Sequence, residues 1–178
     1  YKAVISNAPN DFENATHIIL PGVGSFGVAM KKIKSQINIS ALEQQIIQFQ
    51  KPFLGICVGM QVLVEKGYEH GEYDGLGWIP GTVEKINATN IPLPHIGWNE
   101  IKLKQKSFLF NGLDEVNDFY FVHSYVVKTT SNHVISETEY GVSFCSSIHH
   151  KNIYGVQFHP EKSQKAGQIL FNNFLKSK

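Results

Sequence analysis

The sequence is poor in sulfur and in net charge. Among 178 residues there are two cysteines, Cys57 and Cys145, and two methionines. Two cysteines cannot build a disulfide framework, which excludes a small disulfide-stapled scaffold and fits a reducing compartment. Sixteen Lys and Arg stand against fifteen Asp and Glu, a net charge of +1. That balance implies no general attraction to nucleic acid or to a membrane surface. No apolar run approaches the length of a membrane span, and no signal peptide opens the chain. The expected setting is the cytosol. Repeats, low-complexity tracts and a linker that would split the chain are also missing. Residues 1–178 therefore read as a single domain, long enough for a proper hydrophobic core.

Against this plain background one stretch stands out: Pro52-Phe53-Leu54-Gly55-Ile56-Cys57-Val58-Gly59-Met60-Gln61. A cysteine sits between two glycines, directly after an apolar run that reads as a buried strand. Met60 to Lys66 then reads as the start of a helix. This is the strand–turn–helix layout of a nucleophile elbow, with cysteine where hydrolases more often carry serine. Gly55 and Gly59 are needed because the turn is too tight for side chains to pass the neighbouring backbone. A helix opening just after Cys57 points amide N–H groups at the sulfur and favours the thiolate. Cys57 is thus the candidate nucleophile. Cys145, in an apolar run, is most simply a core thiol.

The first half of the chain alternates strand and helix signals. Ala3-Val4-Ile5 and His17-Ile18-Ile19-Leu20 are β-branched runs, the second stopped by Pro21-Gly22. Ser40 and Glu43 form a capping box, after which Leu42, Ile46 and Phe49 share a helical face until Pro52. Such alternation predicts an α/β fold, a mostly parallel sheet with helices on both faces. From Gly81 onward strands dominate, at Thr82–Ile86, Phe119–Val122, Tyr125–Lys128, Val142–Ser147 and Ile153–Phe158. A last helix is expected from Gln164 to Phe174, with Ala166, Leu170 and Phe174 on one face.

Three further segments turn the cysteine into a candidate site. In Gly155-Val156-Gln157-Phe158-His159-Pro160-Glu161-Lys162-Ser163, His159 emerges at the C-terminal edge of a strand, where open α/β sheets build sites. Pro160 is expected to hold the backbone extended, so that His159 and Glu161 project to the same side. A carboxylate on one imidazole nitrogen fixes the tautomer and aims the other nitrogen at a nucleophile. Alone, His-Pro-Glu would be a solvated loop pair; beside a cysteine elbow it reads as base and orienter.

Leu20-Pro21-Gly22-Val23-Gly24-Ser25-Phe26-Gly27 is a glycine-rich turn after a strand. It could present backbone N–H groups to an oxyanion, beside that of Val58, or serve as a plain strand–helix turn. Phosphate binding is the competing use, but the Walker lysine pattern is missing. In Pro94-His95-Ile96-Gly97-Trp98-Asn99, Trp98 sits in a polar loop and suits either a partner interface or a half-buried position. Phe121-Val122-His123-Ser124-Tyr125 lies between strands, with His123 structural and the neighbouring polar groups free to hold a substrate. His149-His150 points apart on a strand and carries no metal-ligand set.

These residues carry a resemblance. Gly55-Ile-Cys57-Val-Gly59-Met-Gln61 with His159-Pro-Glu161 resembles the class I (triad) glutamine amidotransferases. The Pro21–Gly27, Pro94–Asn99, Phe121–Tyr125 and Gln157–Ser163 segments are similar to one branch of that family. That branch feeds ammonia to a cyclase making imidazole glycerol phosphate in histidine biosynthesis. The resemblance implies a three-layer sandwich and a Cys57, His159, Glu161 triad that hydrolyses L-glutamine through a thioester. It also implies an oxyanion hole from Val58 and from Val23 or Gly24, and substrate contacts from Gln61, Ser124 and Tyr125. No metal or organic cofactor is implied. The implied partner is a (βα)₈-barrel cyclase docked near Trp98 as a heterodimer, receiving ammonia through a channel. The family places a further strand, Gly-containing loop and helix ahead of the Tyr1 segment, so the expectation is of a chain lacking them. Two alternatives stay open: the same chemistry feeding another synthetase, such as one amidinating a surface sugar, and a truncated, inactive partner subunit.

Overall fold

The strand that ends on Cys57 is buried along its whole length, and the fold is arranged around it. A computed structural model describes residues 1–88, 91–113 and 117–177. The first half contains α1 (Pro9–Asn14), β1 (Ile18–Gly22), α2 (Phe26–Gln36), α3 (Ile39–Glu43), β2 (Phe53–Cys57), α4 (Val58–Gln61) and β3 (Val64–Gly67). Then come β4 (Tyr73–Asp74), β5 (Ile79–Lys85), β6 (His95–Glu100) and β7 (Lys102–Leu103). The second half adds β8 (Asp118–His123), β9 (Tyr125–Lys128), β10 (Val134–Tyr140), β11 (Val142–His150), β12 (Ile153–Val156) and α5 (Gln164–Phe174).

The main sheet has six strands in the order β1-β2-β12-β11-β10-β7. It is mixed. β2 runs parallel to β1 and to β12, whereas β12–β11, β11–β10 and β10–β7 are antiparallel. The expected α/β architecture is therefore present, with its parallel part confined to the three strands that matter most. In that part the register pairs Gly22 with Cys57 and Val156 with Ile56. The segments that follow β1, β2 and β12 consequently leave the sheet at one common edge. A second sheet, β4-β3-β5-β9, and a ribbon of β6 with β8 complete the strand set.

The core that holds this edge rigid is aromatic. Phe119 and Phe158 stack with centroids 4.0 Å apart, and Phe121 meets Phe158 edge-on at 5.6 Å. All three rings are fully buried, each contributing roughly 1.5–3 kcal/mol of apolar burial. Phe53 and Trp78 make a further edge-to-face pair at 5.2 Å.

Several sequence expectations need correction. Ala3-Val4-Ile5 forms no strand: a strand needs a hydrogen-bonded neighbour, and Val4 and Ile5 lie exposed instead. The third helix is capped by Asn38, whose Oδ1 accepts from the Ala41 N–H at 3.1 Å, not by Ser40. Glu43 is occupied elsewhere, accepting from the Trp78 indole N–H at 3.0 Å. A π-helical turn over Gln44–Gln48 then rotates the chain, so Leu42 and Ile46 are buried while Phe49 is exposed. The helix after Cys57 is a single turn, because Val64 to Gly67 are taken by β3, pairing with β5. The tryptophan loop is strand β6, paired residue for residue with β8. The strands expected after Gly81 and the helix Gln164–Phe174 are found.

Candidate active site

The elbow is built by close approach. Cys57 has φ +54° and ψ −112°, a conformation rare for a residue with a side chain. A Cβ on Gly59 would lie 1.9 Å from the Leu20 carbonyl oxygen, and one on Gly55 would lie 2.4 Å from the Gly59 oxygen. Glycine at both positions lets α4 sit directly on β1 and β2, which lifts Cys57 to the sheet edge. The thiol itself is buried. Burial pushes its pKa up to about 11, against the opposing pull of the Val58 backbone N–H and of the Gln157 side chain, whose Nε2 lies 3.7 Å from the sulfur. Desolvation outweighs the amides, and Cys57 needs a base.

That base is placed by the segment after β12. The His159 N–H donates to the Tyr120 carbonyl at 2.8 Å, and its own carbonyl accepts from the Ser163 hydroxyl at 2.6 Å. Pro160 opens a 3₁₀ turn rather than extending the chain. The turn brings the Glu161 carboxylate to 2.6 Å from His159 Nδ1. The carboxylate accepts, so Nδ1 carries a proton and Nε2 has a lone pair in the neutral ring. His159 Nε2 is buried and has no hydrogen-bond partner among the described residues. An unsatisfied buried nitrogen calls for an explanation, and a reacting proton supplies one.

Cys57 and His159 share a cavity of about 270 Å³. Val23, Gly24, Val58, Gln61, Ser124 and Tyr125 also line it, so the residues nominated from sequence converge on one space. Gly24 has φ +100°, which a side chain would strain, and this orients the peptide between Val23 and Gly24. Gln61 is present but turned inward. Its Nε2 donates to the Tyr125 carbonyl and to Gln157 Oε1, each at 3.0 Å. Glu161 stands behind His159 rather than in the lining. Trp98 is separate from the cavity, half-exposed on β6 and edge-on to Tyr120 at 6.2 Å.

Sequence reasoning missed three site residues. Glu69 brings a carboxylate into the cavity while its Oε2 accepts from the Phe26 N–H at 2.7 Å, capping α2. No motif surrounds Glu69, so nothing in the sequence announced it. His123 lines the cavity instead of lying wholly in the core. Gln157 touches the sulfur, and its place beside the His159 motif was the signal available. Cys145 is a buried core thiol, as expected, and among the described residues no group of three or more metal-ligating side chains occurs.

Known proteins resemble this chain along nearly its whole length. The family profile described as glutamine amidotransferase class-I matches residues 2–177. Imidazole glycerol phosphate synthase subunit HisH 1 of Campylobacter jejuni (strain RM1221) is 44% identical over 97% of this chain and 86% of its own length. The HisH subunit of Aquifex aeolicus is 45% identical over 97% of this chain and 83% of its own. Among solved structures, a glutamine amidotransferase superposes with a TM-score of 0.69 at 16% identity, covering 96% of this chain and 83% of that one. PurLQS from Thermotoga maritima gives 0.64 at 16% identity, over 90% and 78%. At those identities the structures speak for the fold alone. With the profile spanning nearly every residue and the cysteine elbow facing a carboxylate-backed histidine, the chain belongs to the class I glutamine amidotransferase family.

Proposed function

We propose that this chain is the glutaminase subunit of an imidazole glycerol phosphate synthase, acting in the cytoplasm in histidine biosynthesis. The observation that carries the chemistry is the Nε2 of His159, unpartnered among the described residues, held by Glu161 and sharing a cavity with the Cys57 thiol. Relatives bearing the HisH subunit name across nearly the whole chain support the pathway.

In the proposed reaction His159 Nε2 takes the Cys57 proton, and the sulfur attacks the side-chain amide carbon of L-glutamine. The oxyanion is held by the Val58 N–H and by an N–H of the Val23–Gly24 turn, a type of contact worth about 10²–10³ in rate. His159 returns the proton to the leaving nitrogen, ammonia departs and a γ-glutamyl thioester remains. Water, deprotonated by the same imidazole, then cleaves the thioester to glutamate and restores the thiol. Glu69 faces the ammonium end of the zwitterionic substrate, and Ser124 and Tyr125 supply polar groups to its other atoms. Gln61, in the cavity wall, holds the Tyr125 carbonyl and the Gln157 side-chain amide in place beside the substrate. Ammonia passes to a (βα)₈-barrel cyclase seated over Trp98.

The test is glutamate release from L-glutamine, with and without an imidazole glycerol phosphate cyclase in the presence of its nucleotide ligand, with Cys57→Ala as blank. Strong activation by the cyclase that vanishes in Cys57→Ala is expected. Cys57-dependent hydrolysis that ignores the cyclase would move the ammonia to another synthetase. A folded protein without hydrolysis under either condition would refute the catalytic reading.

A further inference from the structure

Gln157 follows β12 and is completely buried. Its backbone N–H donates to the Ser146 carbonyl at 2.9 Å, which fixes the main chain. Its side chain makes two contacts, Oε1 with Gln61 Nε2 at 3.0 Å and Nε2 with Cys57 Sγ at 3.7 Å. Which end of the amide faces the sulfur can be deduced. Gln61 also lies 3.0 Å from the Tyr125 carbonyl oxygen, and a carbonyl can only accept. The Gln61 atom serving both partners is therefore its nitrogen, and the Gln157 atom opposite it must be oxygen. The Gln157 amide N–H is left pointing at the sulfur, and a flip would set nitrogen against nitrogen. A chain of fixed polarity thus runs from the Tyr125 carbonyl through Gln61 and Gln157 to Cys57.

We propose that Gln157 is a thiolate-stabilising residue and that Gln61 is the positioning residue that locks its amide toward Cys57. The inference rests on Cys57 being the nucleophile of the proposed glutaminase. A neutral thiol accepts hydrogen bonds weakly, whereas a thiolate is a charged acceptor, so the contact strengthens as the proton leaves. It does so again when the sulfur departs from the thioester. The surroundings make such a donor necessary. Burial and the carboxylates of Glu161 and Glu69 oppose a charge on Cys57, while the Val58 N–H and Gln157 favour it. His123, which also lines the cavity, is held neutral by burial. Buried, satisfied and rigid, the Gln61–Gln157 pair supplies its dipole without rearrangement.

The test reads the sulfur directly and needs no glutamine. In a Cys145→Ala background, alkylation of Cys57 by iodoacetamide is followed at pH 8, where the rate tracks the thiolate fraction. Gln157→Met keeps the length and removes the donor, and is expected to slow alkylation by about 10- to 100-fold, the size of a lost hydrogen bond to charge. Gln61→Met is expected to slow it less, and the double variant no more than Gln157→Met alone. Equal rates for the parent and a Gln157→Met protein with an unchanged thermal melt would overturn the proposal. Should Gln157→Met fail to fold, Gln157→Glu decides. Its carboxylate still accepts from Gln61 and faces the sulfur with negative charge, so an undiminished rate there overturns the proposal equally. A parent protein that releases no glutamate, with alkylation still slowed by Gln157→Met, would instead count against the glutaminase reading and leave Gln157's role standing.

Discussion

His95 Nδ1 lies 3.1 Å from His123 Nε2, and the direction of every proton around this buried pair is fixed by its neighbours. His123 Nδ1 meets the Tyr125 carbonyl at 3.1 Å and must donate, so its Nε2 accepts from the His95 Nδ1–H. His95 Nε2 then accepts from the Asn99 amide at 3.3 Å, which also donates to the Glu139 carbonyl at 2.9 Å. The His95 ring is stacked against Tyr140 at 4.0 Å and Phe121 at 4.9 Å. Both imidazoles are accordingly neutral. Burial lowers the pKa of His95 to about 4 and that of His123 to about 3, the latter helped by His95 itself.

Folding stability should fall as the solution is acidified through this pair. Below an ordinary histidine pKa of 6.5 the unfolded chain takes up protons that the folded chain refuses. The contribution is full above pH 6.5 and is lost as the pH drops toward 4. Urea denaturation at pH 7.5 and pH 5 should show a lower midpoint at pH 5. His95→Gln, which cannot be protonated, should narrow that difference while costing about 1–2 kcal/mol at pH 7.5. An unchanged pH dependence would exclude His95 as its source.

Glu161→Gln should leave His159 in place and spoil its proton assignment. The 2.6 Å contact at Nδ1 holds Nε2 free of a proton, whereas a glutamine amide can donate to Nδ1 and stabilise the wrong tautomer. The expected loss in kcat is about 10²–10⁴ with a smaller change in KM. Steady-state glutaminase assays in the presence of the cyclase measure it.

The residues that face each other across the cavity were legible because their chemistry fixes the local backbone. Cys57 between Gly55 and Gly59 can hardly be anything other than a tight turn, and Gly59 must sit on Leu20 for that turn to exist. Local signals misled where tertiary pairing decides the outcome. Val64 to Lys66 continue a helical pattern from Met60, yet pairing with β5 makes them a strand. Ser40 and Glu43 have capping-box spacing, but Asn38 supplies the cap and Glu43 is drawn to Trp78. Glu69 was invisible because its role depends on the end of β3 arriving beside α2, a meeting that no short motif encodes.

Glu69→Gln should separate binding from chemistry. The glutamine keeps an oxygen for the Phe26 N–H, so the cap on α2 and the fold survive. The negative charge offered to a substrate ammonium is removed. A charge-assisted contact of about 1.5–3 kcal/mol corresponds to roughly a 10- to 150-fold rise in KM with kcat much less affected. A kcat loss without a KM change would place Glu69 outside substrate recognition.

Gly59→Ala should test the elbow as a structure. Its new methyl would stand 1.9 Å from the backbone carbonyl of Leu20, an atom that cannot rotate away. The expected destabilisation is at least about 1–3 kcal/mol, read from urea unfolding. Any variant that still folds must move α4 off β1, and its Cys57 alkylation rate would report the displacement.

The outer face of β6 supplies the last prediction. Ile96 and Trp98, two residues apart on the strand, are 59% and 49% exposed, while His95 is buried. One side of β6 thus presents exposed apolar surface, and the other carries the His95–His123 pair to the edge of the cavity. Half-exposed aromatics of this kind contribute little to a monomer and much to an interface. Trp98→Ala should therefore leave the melting temperature of the isolated chain nearly unchanged. Binding to the cyclase should weaken by about 30-fold or more, the effect of losing roughly 2 kcal/mol. Calorimetric titration of the cyclase into both proteins measures this. Unaltered affinity would move the docking surface away from β6 and remove the histidine pair from any path between partner and cavity.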